Sequence, residues 1–421
     1  MAFLIGKWSY ALGIIMYRWV LGIISPFHKK AKLFVKGRKG QITALESFFQ
    51  GNKQRVVWVH CASLGEFEQG RPIIEALKQQ APDIKILLTF YSPSGYEVRK
   101  DYPYADYCTY MPLDTPSNAR EFIEVVNPSL AIFVKYEFWY YHLRELKERE
   151  IPVFSVSSIF RQDQVYFKPH ALFYRKTLEL ISHFYVQDKT SGALLSSIGI
   201  DRWDVAGDSR FDRVIELVEQ RKDIPIVQKF TQQTFTLVIG SSWTKDLKHI
   251  APLLNAWEEP LKLIIAPHEI EERSLQETEA FFPDKQIIRF SAMNEGADWR
   301  GADILLIDNI GMLTSLYQYG SLAYIGGAFG KGLHNILEAA TYGIPVIFGP
   351  KYDKFNEAKE IIASKGGFSI DGEEAFEKIF VALYHDEIKR LRAGKQAEMY
   401  VQSKVGATEK VLEAIQLRKI Q

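Results

Sequence analysis

RVVWVHCASLGEFEQGRPIIEALKQQAPDIKILLTFY, residues 55–91, passes from an apolar run through a glycine-containing junction into an amphipathic run and then a second apolar run. RVVWVH (55–60) and IKILLTFY (84–91) are nearly continuous in apolar residues, the pattern of strands buried on both faces. RPIIEALKQQ (71–80) has helical spacing. Strand, crossover helix and strand make the repeating unit of a parallel sheet. Gly65, Glu66 and Glu68 stand at the first junction, so carboxylates lie where a strand hands over to a helix.

The same rhythm continues outward. LAIFVKYE (130–137), PVFSVSS (152–158) and HFYVQ (183–187) read as strands, with helical stretches such as REFIEVV (120–126) and FWYYHLRELKE (138–148) between them. At GDSRFDRVIELVEQRKDIP (207–225) the rhythm changes to a charged helix and a proline. A second series follows: TLVIGSS (236–242), LKLIIAP (261–267), QIIRF (286–290), ADILLID (302–308), LAYIGG (322–327) and PVIFG (345–349). After residue 375 the pattern is helical throughout. The expected architecture is α/β with two doubly wound parallel-sheet domains, 41–215 and 216–395, and a boundary near 212–228. Residues 1–40 precede them as a helical, basic segment and 396–421 follow as a C-terminal helix. In such sheets ligands bind beyond the carboxyl ends of the strands, which is where Glu66 falls.

Composition fits this size and class. The chain has 421 residues, 47% hydrophobic and 24% charged, enough for two cores and far from disorder. A formal net charge of +1 gives no electrostatic case for a nucleic-acid partner. Two cysteines, Cys61 and Cys108, form no CxxC pair, and the nine histidines include no HExxH, so neither a disulfide framework nor a metal site is expected.

The first forty residues are different. They carry Lys7, Arg18, Lys29, Lys30, Lys32, Lys36, Arg38 and Lys39 and no acid. WSYALGIIMYRWVLGIIS (8–25) is apolar, interrupted by Arg18 and studded with Trp8, Tyr10, Tyr17 and Trp19. As a helix it would run about 27 Å, the short limit for a bilayer. A span held by the following basic stretch, a helix lying in the interface and an ordinary buried first helix all fit. A cleaved signal peptide fits least, because no A-x-A site follows. Both membrane readings leave the body of the chain in the cytoplasm.

The densest candidate for chemistry is YIGGAFGKGLHNILEAATYGIPVIFGP (324–350). A strand enters Gly326, Gly327, Gly330 and Gly332 and then a helix expected near Asn335, where amide groups and the helix dipole favour phosphate. It is no P-loop, since no Ser or Thr follows Lys331, and taken alone such a turn serves equally as an ordinary connection. Glu338, one turn beyond His334 and Asn335, adds a carboxylate suited to a ribose diol. Ser241, Ser242 and Thr244 end the first strand of the second half, and His268 and Glu269 the next. In the first half, Glu66 serves either as a helix-dipole partner or as a general base; Glu68 suits the first role better. Lys135 and Glu137 end another strand, and Arg161 follows the next.

SLGE (63–66), YEFW (136–139), GDSRFD (207–212) and residues 326–350 together resemble the 3-deoxy-D-manno-octulosonic acid (Kdo) transferases of lipid A assembly. The resemblance covers nearly the whole chain. It implies a GT-B fold, two Rossmann-like domains facing a central cleft, with an N-terminal membrane-associated helix. It also implies CMP-Kdo as donor, the lipid A disaccharide precursor (lipid IVA) as acceptor, an inverting transfer with no metal or cofactor, and a place at the bacterial inner membrane facing the cytoplasm. By motif, Glu66 matches the proton acceptor, and Glu137 and Arg210 match transition-state stabilisers, Arg210 standing where lysine is usual. Pro267 and His268, then Ile310, Gly311 and Met312, then Asn335, Ile336, Leu337 and Glu338 match CMP-contacting positions. Ile336 replaces a proline there, and His268 an arginine. KYEFWYY lacks the first acid and the Pro-Asn of the common E-T-E-L-W-P-N. Two other readings share many of these features: a GT-B enzyme using a UDP-sugar, and a non-catalytic membrane-bound nucleotide-binding protein in which Glu66 only complements a helix dipole.

Overall fold

A computed structural model describes residues 1–232, 234–293, 299, 301–330 and 332–417. Lys331 of the Gly-rich loop and residues 418–421 of the expected C-terminal helix lie outside the described residues. The chain divides into one unit of Met1–Arg213 plus the segment from Val405 onward, and a second of Val214–Lys404. The expected boundary at 395/396 falls inside the unbroken helix Glu387–Gln402. The final helix, Ala407–Leu417, belongs to the first unit: Asp212 accepts hydrogen bonds from the backbone N–H of Gly406 (2.6 Å) and Thr408 (2.7 Å) just before and within it.

The first unit holds a sheet of β1 (Val56–Cys61), β2 (Lys85–Phe90), β3 (Tyr107–Tyr110), β4 (Leu130–Val134), β5 (Val153–Ser158), β6 (His183–Val186) and β7 (Trp203–Val205). Their order is β3-β2-β1-β4-β5-β6-β7, all parallel. The central strands are apolar on both sides because both sides are covered. Val57, Val59 and Cys61 pack in one core cluster with Ile86, Leu88 and Ile132. Val56 and Trp58 pack in another with Leu87, Ala131 and Phe133.

The second unit holds β8 (Thr236–Ser242), β9 (Lys262–Pro267), β10 (Ile287–Arg289), β11 (Ile304–Leu306), β12 (Leu322–Ile325), β13 (Val346–Phe348) and β14 (Gly367–Ser369). Their order is β10-β11-β9-β8-β12-β13-β14, again parallel. Strand order reverses at β1/β4 in the first sheet and at β8/β12 in the second. Those are the topological switch points where doubly wound sheets open a ligand crevice at their carboxyl ends. Two Rossmann-like α/β units are thus present, as the GT-B class requires.

Four helices near the N-terminus bear on function: α1 (Ala2–Ile24), α2 (Lys29–Lys36), α3 (Gln41–Phe49) and α4 (Leu64–Gln80). One side of α1 is packed on the first unit. Phe3 and Tyr10 meet Tyr140 and Phe173, and the Tyr10 hydroxyl donates to Asp114 at 2.5 Å. Gly6 is needed there, since a Cβ would stand 2.5 Å from that of Phe173. The other side exposes Leu4, Ile5, Trp8, Leu12, Ile15, Trp19, Ile23 and Ile24. So α1 is neither an ordinary buried helix nor free of the protein. Among the described residues no single helix is long and apolar enough to cross a membrane; α1 and α2 reach that composition only as a pair bent by 120°.

Candidate active site

In the first unit, Glu66 sits in the first turn of α4, directly after β1, and accepts a hydrogen bond from the hydroxyl of Ser63, the residue that caps the helix. Glu137 lies just past β4, the strand paired with β1 across the switch point. Between them the chain takes a left-handed turn at Lys135 (φ 63°), a conformation unfavourable for a residue with a Cβ. Hydrogen bonds hold it: the Lys135 carbonyl accepts from Ser155 (2.9 Å) and Ser158 (3.0 Å), and its N–H donates to the Val156 carbonyl (2.8 Å). Strain fixed in this way aims the next residues and keeps Glu137 in place.

The two carboxylates feel each other. Glu137 is raised from 4.5 to about 7, first by burial and then by the charge of Glu66, against a lowering hydrogen bond from Trp139. The Trp139 indole N–H donates to Glu137 at 3.1 Å. Its ring stacks on Tyr91 (centroids 4.4 Å apart), which stacks in turn on Tyr17 of α1 (6.4 Å). Facing acids, one held near neutrality, are the arrangement that general acid–base chemistry uses.

His60, at the end of β1, is a participant that the sequence reading passed over. It is fully buried, and its Nε2 lies 4.0 Å from Glu137 Oε2. Thr89 Oγ1 accepts the Trp58 indole N–H at 2.8 Å and stands 2.8 Å from His60 Nδ1. The Thr89 hydroxyl also approaches the Val59 carbonyl at 3.5 Å, so it can either donate to His60 Nδ1 or accept from it. Burial holds His60 down at about 3, so the imidazole is neutral, and among the described residues its Nε2 makes no hydrogen bond. The available signal was a histidine at the end of an apolar strand, opposite threonine in the paired register.

Arg210 begins the helix Arg210–Glu219 and is fastened by Nη2 to Asp208 at 2.7 Å. Asp208 is itself buried and accepts from Gln69 of α4 at 3.1 Å, so Arg210 is placed against the helix that carries Glu66. The Arg210 guanidinium and the Lys135 charge hold the Asp208 carboxyl below its usual range despite burial. Glu68 points elsewhere, to Arg99 at 3.0 Å. Arg161 pairs loosely with Asp163 at 3.8 Å and stays exposed.

In the second unit, Ser242, Thr244 and Pro267 line a cavity of about 450 Å³, with Lys245 and Gly330. It opens at the start of the helix Thr244–Ala256, and the buried Ser242 hydroxyl has no hydrogen-bond partner among the described residues. Asp246, also absent from the sequence reading, is buried and ties this helix start to the Gly-rich loop, accepting from the N–H groups of Trp243 (2.9 Å) and Gly327 (2.9 Å). Gly326 must be glycine: a Cβ would lie 2.3 Å from the Ser241 carbonyl. His268 is stacked between Trp243 (4.5 Å) and His334 (4.4 Å). Trp243 donates to His334 Nε2 at 3.1 Å, and burial holds His334 down at about 4, so its ring is a neutral acceptor.

Asn335 and Glu338 meet at 3.0 Å, and the Thr314 hydroxyl donates to Glu338 at 2.6 Å, which brings the loop of Ile310, Gly311 and Met312 alongside them. The helix expected near Asn335 runs Leu337–Thr341, only five residues, and Asn335 accepts from the Leu337 N–H (3.1 Å) at its start. The side chains of Ile336 and Leu337 are fully buried in the core, so only their backbone can meet a ligand. Ile310, by contrast, is 85% exposed. Among the described residues no group of three His, Cys, Asp or Glu could hold a metal ion.

The family model for 3-deoxy-D-manno-octulosonic-acid transferase (kdotransferase) matches residues 35–213, the unit of Glu66, Glu137 and Arg210. A 3-deoxy-D-manno-octulosonic acid transferase of Aquifex aeolicus is 31% identical, over 79% of this chain and 88% of its own. The chain belongs to the 3-deoxy-D-manno-octulosonic acid transferase family. A second such transferase, from Chlamydophila psittaci, is 26% identical over 83% of this chain and 82% of its own. Among solved structures, the UDP-GlcNAc 2-epimerase of Neisseria meningitidis bound to UDP-GlcNAc aligns with a TM-score of 0.60 at 16% identity, covering 87% of this chain and all of that one. That likeness is one of fold. Family membership gives the paired acids of the first unit a context in group transfer.

Proposed function

We propose that this chain transfers Kdo from CMP-Kdo to the lipid A disaccharide precursor, lipid IVA, at the cytoplasmic face of a bacterial inner membrane. The observation that supports it most is the electrostatically coupled pair Glu66 and Glu137 at one switch point, in a chain of this family. The acceptor hydroxyl oxygen attacks the anomeric carbon of Kdo from the face opposite the phosphate, inverting the centre. The bond to the phosphate oxygen breaks, and its electron pair leaves with CMP. Glu66 takes the hydroxyl proton. Arg210 and Glu137 steady the transition state, Glu137 oriented by Trp139. No metal or cofactor takes part.

The second unit supplies the donor site. The unpartnered Ser242 hydroxyl, Thr244 and Lys245 suit the phosphate, and Glu338 with Asn335 suits the ribose. Glu338→Ala is expected to weaken CMP binding by about 1–3 kcal/mol, the scale of a lost hydrogen bond to a charged group. Calorimetry with CMP and UDP in parallel checks it: unchanged CMP affinity moves the donor site, and tighter UDP binding favours a UDP-sugar donor.

The exposed apolar side of α1 supports membrane attachment in the plane of the interface. Truncation is a poor test, because Phe3 and Tyr10 also pack on the first unit. Trp8→Glu with Trp19→Glu, at positions 74% and 70% exposed, tests the lipid-facing side alone. The double variant is expected in the soluble fraction with CMP affinity intact; unchanged partitioning rejects the attachment.

A further inference from the structure

A second cavity lies in the N-terminal part of the first unit, lined by none of the residues assigned to the transfer or to the donor site. It measures about 350 Å³ and is walled by α1, α2, α3 and the segment before the helix Pro116–Val126. Three cations line it: Arg18 from α1, and Arg38 and Lys39 between α2 and α3. Among the described residues none of them has a carboxylate within ion-pair distance, and residues 1–40 contain no acid. Arg38 is spoken for by geometry but not by charge. Its guanidinium donates to the carbonyls of Met111 (2.9 Å), Phe34 (3.1 Å) and Tyr91 (2.8 Å) and lies 3.6 Å from the Phe34 ring centroid. A half-buried, un-neutralised cation is costly unless an anion shares its surroundings.

Gln41, at the first turn of α3, also contributes to this wall. It is only 7% exposed, and among the described residues neither its amide oxygen nor its amide nitrogen has a partner. A buried primary amide left wholly unpaired points to a polar ligand that completes it. Apart from Asn118, whose amide donates to the Leu113 carbonyl at 2.9 Å, the rest of the lining is apolar, with Leu21, Val35, Ile42 and Leu113, and Leu21 and Gly22 continue into the exposed apolar side of α1. The cavity therefore offers an anion-binding mouth, an amide donor and an apolar wall leading toward α1.

We propose that this cavity is a binding site for the phosphate headgroup of an anionic membrane phospholipid. Arg18 and Lys39 hold the phosphate oxygens at the mouth, Arg38 supplies charge from behind, and the Gln41 amide donates to an oxygen of the headgroup. One acyl chain runs along Leu21 toward Ile23 and Ile24. The proposal rests on the reading of α1 as a membrane-facing helix and is independent of the transfer reaction. It differs from diffuse attraction of a basic segment to a negative surface, in which every exposed lysine counts alike.

The experiment is co-sedimentation of the full chain with phosphatidylcholine vesicles, with and without phosphatidylglycerol. Binding to neutral vesicles tests α1 alone. Phosphatidylglycerol is expected to strengthen binding about tenfold or more, on the scale of two or three basic contacts. Arg18→Ala with Lys39→Ala should abolish most of that gain, whereas Lys29→Ala with Lys30→Ala, exposed on α2 outside the cavity, should keep most of it. Equal losses in the two double variants would overturn the proposal. Gln41→Leu alters no charge and should still lower the gain several-fold, on the scale of one lost hydrogen bond. As a direct measurement, calorimetry with dihexanoylphosphatidylglycerol below its micelle concentration should show one saturable site, and inorganic phosphate should bind far more weakly. Absence of that site, or equal binding of inorganic phosphate, would reject a lipid headgroup.

Discussion

Glu66→Gln is expected to lower turnover by about 10²–10⁴-fold, the contribution of a positioned general base. CMP affinity should stay within about twofold, since the donor site proposed above lies in the second unit and no contact to the nucleotide on the scale of 0.5–1.5 kcal/mol is removed. Gln keeps the shape and can still accept the Ser63 hydroxyl, so helix α4 should start as before. Glu68→Gln is the matched control: its carboxylate pairs with Arg99 and Arg71 at a partly exposed position, where such pairs contribute little. Turnover and CMP affinity measured side by side decide the matter. If Glu66→Gln retains turnover and Glu137→Gln loses it, the base is Glu137, whose elevation toward 7 also fits that task.

The central strands were legible because burial on both faces demands continuous apolar sequence. RVVWVH, LAIFVKYE and TLVIGSS became β1, β4 and β8, each flanked by neighbours on both sides. The strands that escaped, β3, β7 and β14, are all sheet edges of three or four residues. YCTY, WDV and GFS carry no such run, because one flank of each is unpaired, and Asp204 in the middle of β7 is exposed. The division of the chain near 213 was marked by a change in rhythm, but the return of the last helix was not, since its partner is Asp212, almost two hundred residues earlier. Site residues at strand ends were visible singly: Glu66, Glu137, Ser242 and Glu338 follow strands in the sequence. Their pairing was not. Seventy-one positions separate Glu66 from Glu137, and only the strand order that sets β4 beside β1 brings them near. His60, Thr89 and Asp246 read as parts of elements, and it takes the fold to show that Thr89 meets His60 and that Asp246 ties a helix start to the Gly-rich loop.

Glu137→Gln should change the pH dependence of stability, and the sign follows from the direction of its shift. In the native state the carboxyl is raised from 4.5 to about 7, chiefly by burial and then by Glu66. Between those two values the folded chain keeps a proton that the unfolded chain has released, so the folded state loses ground as pH rises. The contribution is fully present below 4.5 and gone above about 7, a difference on the order of 3 kcal/mol. Gln does not titrate, yet its carbonyl still accepts from Trp139. The variant should therefore unfold at higher temperature than the parent at pH 8, with the gap closing toward pH 4. Glu66→Gln should give a smaller change of the same sign, because it removes the like charge but leaves the burial. Thermal unfolding of the three proteins across pH 4–8 reads all of this at once: a Glu137→Gln curve parallel to the parent would mean that Glu137 ionises normally and does not face Glu66 as a buried acid.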